Sequence, residues 1–223
     1  MSFSAKPPPI EIIPGITDLP TSAPGMRIGL FGGSFNPPHK GHRLVSRQVL
    51  KRLDLDAMWW LTTPGNPLKD PTELAPLAQR VMAARSLVDH PRVHVTGFEA
   101  AHGFRYTYDT LSYLRKTLPD RHFVWIMGAD SFVGFHKWEH WRKIADLMPL
   151  VIYARPGSSR RAPFSKAATT LARYRLDQFD ANIVATSPAP AWIYLTGLMS
   201  GASSTELRNR QNDEFQQLGL ERS

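Results

Sequence analysis

The sequence predicts an α/β fold, a doubly wound and mostly parallel sheet with helices on both faces. Three observations predict it. Short apolar runs alternate with amphipathic stretches along most of the chain, and strands separated by helices make βαβ units whose parallel sheet is covered on both sides. The 223 residues are 42% apolar and 21% charged, enough to bury one sizeable core. The unusual residues gather in the loops after the apolar runs, where open α/β sheets hold ligands. The expectation is a Rossmann-like domain.

Taken in order, residues 1–24 hold six prolines (Pro7, Pro8, Pro9, Pro14, Pro20, Pro24) and no apolar period. Burial cannot offset the ordering entropy of such a stretch, so a flexible arm is expected ahead of a domain spanning 25–223. Residues 27–31 form an apolar run ending in Gly32-Gly33, a strand entering a tight loop. Residues 40–53 carry Leu44, Val45, Val49, Leu50 and Leu53 between polar neighbours, a helical stripe. A second strand is expected at 57–62, a loop with three prolines at 64–71, a helix at 77–89 and a strand at 92–98. The pattern continues with a helix at 106–118, a buried strand at 121–127, a helix at 138–148 and a strand at 150–154. Weaker strand-like runs follow at 182–185 and 192–195, then a terminal helix at 204–211.

Composition excludes several classes. With no cysteine, disulfide scaffolds, thiol catalysis and cysteine-ligated zinc are out. The longest apolar runs, such as 57–61 and 123–127, fall far short of the ~20 residues of a membrane helix, and no apolar stretch of a signal peptide opens the chain. A cytoplasmic protein without a membrane partner is expected. Lys and Arg number 27 against 19 Asp and Glu, a net charge of +8, which favours polyanions without choosing among them. Apart from one cluster, Arg155, Arg160, Arg161 and Lys166, the basic residues are scattered. They read as a solvated face, and nucleic acid is not expected as the main partner.

The densest signal is Gly32-Gly33-Ser34-Phe35-Asn36-Pro37-Pro38-His39-Lys40-Gly41-His42. The glycines allow a sharp turn and close approach of a ligand. The helix expected from Lys40 aims its free N–H groups and positive dipole end at this loop, an anion site. His39 and His42, three apart, share one face of its first turn; two imidazoles there can donate hydrogen bonds to phosphate oxygens. Pro37 stands where a P-loop needs its second glycine, and no dinucleotide fingerprint is present. Ser203-Ser204-Thr205-Glu206-Leu207-Arg208 reads as a capping box on physics alone. It equally suits phosphates, with hydroxyls and an arginine at a helix start. His136-Lys137-Trp138-Glu139-His140 matches a zinc-protease pattern, but two histidines need a third ligand and chance matches are common.

The first loop resembles the G-x-F-[DN]-P-x-H-x-G-H signature of the HxGH nucleotidyltransferases, and residues 202–208 resemble their I-S-S-T-x-[IL]-R motif with Ala202 for isoleucine. Further segments are similar to the bacterial nicotinate-nucleotide adenylyltransferases in particular. These are residues 59–69, residues 104–111 with Arg105 for the usual serine, and residues 125–132 followed by Trp138 and Arg155-Pro156-Gly157. The resemblance implies adenylyl transfer from ATP to nicotinate mononucleotide, a step of NAD biosynthesis. It implies that His39, His42, Lys69 and Arg208 are catalytic. It further implies that Gly32, Gly33, Ser34, Phe35, His39, His42, Asp130, Ser203, Ser204, Thr205 and Arg208 bind ATP. Nicotinate mononucleotide would meet Asn66, Lys69, Thr107 and Trp138, the indole stacking on the ring. Glu139 stands where the family often has an aromatic residue. No carboxylate cluster for a protein-held metal is apparent, so Mg²⁺ is expected to ride on ATP. The alternatives are another member of the superfamily, taking nicotinamide mononucleotide or phosphopantetheine, and a non-catalytic basic RNA-binding module. The sequence leaves room for a homo-oligomer.

Overall fold

The computed structural model describes residues 9–65, 74–154 and 161–197. Seven strands form one sheet: β1 (Arg27–Gly33), β2 (Ala57–Thr62), β3 (Val93–Thr96), β4 (His122–Gly128), β5 (Leu150–Ala154), β6 (Arg175–Leu176) and β7 (Trp192–Thr196). Their order is β3-β2-β1-β4-β5-β7-β6, and every pairing is parallel. The helices are α1 (Lys40–Arg52), α2 (Leu77–Leu87), α3 (Phe98–Ala101), α4 (Thr107–Thr117), α5 (Ala129–Val133), α6 (Trp141–Leu147) and α7 (Lys166–Thr170), with several short 3₁₀ turns between them.

A parallel sheet covered on both faces needs strands that are apolar throughout. All six residues of β2 and all five of β5 are buried. Alternation along β2 sends Met58 and Trp60 to one core, shared with Val49 and Leu50 of α1 and Val81 and Ala84 of α2. Trp59 and Leu61 go to the other core, shared with Leu111 and Leu114 of α4 and Ile144 of α6. Helices on both faces make the sheet doubly wound, as expected. The chain leaves β1 toward β2 on one side and later returns to place β4 on the other. The carboxyl ends of β1 and β4 therefore flank the switch point, where such sheets open a crevice. Gly32 lies on this boundary. A Cβ there would stand 2.3 Å from Cη2 of Trp125 on β4, so only glycine lets the indole lie against the end of β1.

Some expected elements differ. The helix expected at 138–148 begins at Trp141, because Trp138 is extended (ψ 147) and His140 adopts a left-handed φ of 52°. The run 92–98 divides into β3 and the start of α3. Residues 182–185 belong to 3₁₀ turns over Gln178–Thr186 rather than a strand. There the Asp177 side chain accepts from the Phe179 N–H, and Val184 turns inward while Ile183 stays exposed. Of the arm expected to be flexible, residues 9–24 are described, and they dock. Ile16 and Thr17 are buried, the Ile16 carbonyl accepts from the Gly97 N–H at 2.9 Å, and Thr96 Oγ1 donates to the Asp18 carbonyl at 2.7 Å. The segment gains order from hydrogen bonds to its carbonyls and from Ile13, Ile16 and Leu19 packing on the two cores, none of it visible in a proline-rich composition. The terminal helix expected at 204–211 lies outside the described residues. Among the described residues no helix is long and apolar enough to cross a membrane.

Candidate active site

The first loop leaves β1 at Gly33 and enters α1 through His39, its N-cap, whose backbone is extended (φ −145, ψ 167). His39 Nδ1 accepts from the Gly41 N–H at 3.1 Å, and His42 Nδ1 accepts from the His39 N–H at 3.1 Å. The two rings lie 3.8 Å apart between centroids. The spacing H-x-x-H is thus a reciprocal capping box, with imidazoles in the places that serine and glutamate usually occupy. Its chemical consequence is a fixed tautomer. A backbone N–H can only donate, so each Nδ1 presents a lone pair and each neutral ring carries its proton on Nε2. Protonating Nδ1 would break the cap. The pair is therefore built as two neutral N–H donors at a helix start.

This end is held firmly from below. The Phe35 ring, 1% exposed, stacks on Trp60 at 4.8 Å and meets His42 edge-on at 4.9 Å. Phe35 can offer a ligand only its backbone. Trp60 Nε1 donates to Ser46 Oγ at 2.7 Å, and Ser46 Oγ donates to the His42 carbonyl at 2.9 Å. Arg80 of α2, 3% exposed, reaches into the loop and donates to the Ser34 carbonyl at 2.8 Å. The sequence reading passed over Arg80, although it interrupts the apolar stripe of Leu77, Val81 and Ala84, where a charge needs buried partners.

The second end is formed by α4 and the turn before α6. Thr107 is the first residue of α4, and the N-cap residue Tyr106 makes no side-chain cap. The Tyr108 ring lies 4.9 Å from the ring of His140, so the first turn of α4 adjoins the 138–140 turn. Trp138 is half-buried and packs edge-on against Phe135 at 5.4 Å. Asp130, exposed in the first turn of α5, follows the end of β4 beside β1. The sheet thus brings Gly32, Gly33, Ser34, His39, His42, Thr107, Asp130 and Trp138 to its carboxyl edge. Asn66, Lys69, Ser203, Ser204, Thr205 and Arg208 lie outside the described residues. So do Arg155 and Arg160 of the basic cluster.

Beneath α4 sits a second group that the sequence reading passed over. Glu99 of α3 is 8% exposed, and its Oε1 accepts from Thr110 Oγ1 at 2.6 Å. Burial pushes its carboxyl up to about 7, and the Thr110 hydrogen bond offsets part of that rise. An acid inside the run Phe98-Glu99-Ala100-Ala101 was its only sequence signal. The histidines of the zinc-like pattern share no helix, since His136 lies in a 3₁₀ turn and His140 is left-handed. Among the described residues no group of three His, Cys, Asp or Glu could hold a metal ion.

The cytidylyltransferase-like family model matches residues 30–210. A probable nicotinate-nucleotide adenylyltransferase of Methylorubrum extorquens is 55% identical over 185 residues, covering 83% of this chain and all of that protein. One from Brucella abortus is 49% identical over 186 residues, covering 83% of this chain and 96% of its own. Among solved structures, the Plasmodium falciparum nicotinic acid mononucleotide adenylyltransferase complexed with NaAD superposes with a TM-score of 0.61 at 17% identity, covering 82% of each chain. That likeness is one of fold. Matched over most of its length at close to half identity, the chain belongs to the cytidylyltransferase-like family and, within it, to the nicotinate-nucleotide adenylyltransferases.

Proposed function

We propose that the chain transfers the adenylyl group of ATP to nicotinate mononucleotide, a step of NAD biosynthesis. A 5′-phosphate oxygen of the mononucleotide attacks the α-phosphorus of ATP in line. The bond from the α-phosphorus to the oxygen bridging to the β-phosphorus breaks, and pyrophosphate leaves. The products are nicotinate adenine dinucleotide and pyrophosphate. The attacking phosphate is already anionic at neutral pH and needs no strong base, so positioning and neutralisation of developing charge do most of the work.

The observation that carries this reading is the capped histidine pair beside the β1/β4 switch point. Nε2–H donors at the start of α1 suit charge that builds on phosphate oxygens during transfer, and they need no proton transfer of their own. Asp130, past the end of β4, suits the hydroxyls of the adenosine ribose. Across the edge, the uncapped N–H groups at Thr107 suit the ring carboxylate, and Trp138 suits the pyridine face. Lys69 and Arg208 are assigned to the phosphates, Asn66 to the ring carboxylate, and Ser203, Ser204 and Thr205 to the triphosphate, all on the motifs that carry the family resemblance. Magnesium enters as part of the ATP substrate.

The test is direct. Purified chain is incubated with ATP and, separately, nicotinate mononucleotide, nicotinamide mononucleotide or phosphopantetheine, and pyrophosphate release is followed. Nicotinate mononucleotide should be the preferred acceptor, with the dinucleotide recovered by chromatography. Faster release with either other acceptor would overturn the assignment.

A further inference from the structure

Arg80 occupies an unusual position for a charged residue. Its guanidinium is buried, yet among the described residues no carboxylate lies within salt-bridge distance of it. Among the described residues every hydrogen bond of its side chain goes to a main-chain carbonyl. Nε donates to Ala75 at 2.7 Å, Nη1 to Ser34 and to Thr63 at 2.8 Å each, and Nη2 more weakly to Pro64 at 3.5 Å. Two further bonds tie the same segments: the Thr63 N–H donates to the Gly33 carbonyl at 3.1 Å, and the Ala75 N–H donates to Asn36 Oδ1 at 3.3 Å.

These carbonyls are not a random set. Ser34 is in the first loop, two residues past Gly32. Thr63 and Pro64 directly follow β2, and Ala75 leads into α2. Pro64 and Ala75 bracket the stretch that contains Asn66 and Lys69. One planar fork therefore joins the loop assigned to ATP with both roots of the segment assigned to the acceptor. Burial of a cation is costly without partners, and carbonyl dipoles supply them here. Burial holds the basicity of Arg80 below its ordinary value, while the charge of Glu11 works the other way.

We infer that Arg80 is a positioning residue for adenylyl transfer, holding the first loop in register with residues 63–64 and 75 through its carbonyl partners without touching either substrate. The inference rests on the reaction proposed above. Lysine keeps the charge but has no planar fork, and glutamine keeps a planar N–H donor but loses both charge and reach. Loss of the fork loosens the relative placement of two bound substrates. The cost should appear in turnover more than in affinity for either one.

The experiment uses the full chain with Arg80→Lys and Arg80→Gln. Both should lower kcat at least ~10-fold while the KM for ATP stays within ~3-fold. In both, amide exchange at residues 33–36 and at Thr63 should rise together. Wild-type kcat in both variants overturns the inference, as does full rescue by lysine alone, which would assign the role to charge. A parallel loss of kcat and folded fraction, with no change in local exchange, also overturns it. In the wild-type chain, the Arg80 Nε–H should be protected from exchange together with the Thr63 and Ala75 amides. Exchange of that Nε–H at the rate of an exposed arginine would sink the proposal whatever the variants do. This last readout involves no turnover, so it separates failure of the Arg80 role from failure of the reaction assignment.

Discussion

The two helix starts at the carboxyl edge solve the same electrostatic problem in opposite ways. At α1 the N–H groups of His39 and Gly41 are taken up by the histidines, whose Nε2 atoms are left to donate outward. At α4 the N-cap residue Tyr106 makes no side-chain cap, and the first backbone N–H groups are left to serve the carboxylate in the function proposed above. The stacked, buttressed imidazoles aim their Nε2–H groups outward, where a donor gains strength as charge grows on a phosphate oxygen. Backbone donors suit a planar carboxylate that is the same before and after reaction. The difference predicts that lesions at α1 fall on turnover and lesions at α4 on acceptor binding.

The largest expected effect is at α1. His42→Ala should lower kcat at least ~100-fold with a smaller change in KM for ATP. His42→Asn sharpens the point, because an amide oxygen can still accept the His39 N–H. If cap retention were all that mattered, Asn would restore turnover; steady-state kinetics of both variants should instead show matching losses.

Next comes the carboxyl beneath α4. The carboxyl of Glu99, at about 7 in the folded chain, lies above its ordinary 4.5, so the folded state keeps a proton that the unfolded state releases. Stability is therefore lost as pH rises between those two values, and the full cost is present above the higher one. From about pH 5 to about pH 7.5 the loss is roughly 2 kcal/mol. Glu99→Gln should remove that component, seen as a smaller pH slope in denaturant melts. Equal slopes in variant and wild type would place the titration elsewhere.

Thr107→Pro probes α4 more finely. Proline is accommodated at a first helical position, and Tyr106 is already extended (ψ 145), as a residue before proline must be. The substitution deletes one N–H and should raise KM for nicotinate mononucleotide about tenfold, with kcat nearly unchanged. A fall in kcat with constant KM would dissolve the contrast between the two ends. The smallest effect belongs to Ser46→Ala, which removes the partner of Trp60 Nε1. A loss of about 1 kcal/mol in thermal stability is expected, with turnover within ~3-fold of wild type.

Legibility in the sequence followed length and period. The strands from β1 to β5 and helices α1, α2 and α4 are long apolar or striped segments, and each was visible. The two-residue β6 and the turns over Gln178–Thr186 are not; there an Ile-Val-Ala run reads as a strand, while an Asp177 cap and one-sided burial make it turn. The histidines were legible as a pair at a helix start, but their mutual capping depends on ring orientation, which spacing does not encode. Arg80 and Glu99 each left one trace, a charge inside an apolar stretch. Their partners are carbonyls and a hydroxyl 11 or more residues distant along the chain in most cases, and no local pattern announces them.

The contact between Gly32 and Trp125 makes these two positions a single unit of variation. A methyl group at 32 collides with the indole, so Gly32→Ala should be harmful alone and better tolerated once residue 125 has been made smaller. Evolutionary drift in this part of the crevice must then proceed in a set order, with the strand β4 side chain shrinking before the β1 backbone can gain one.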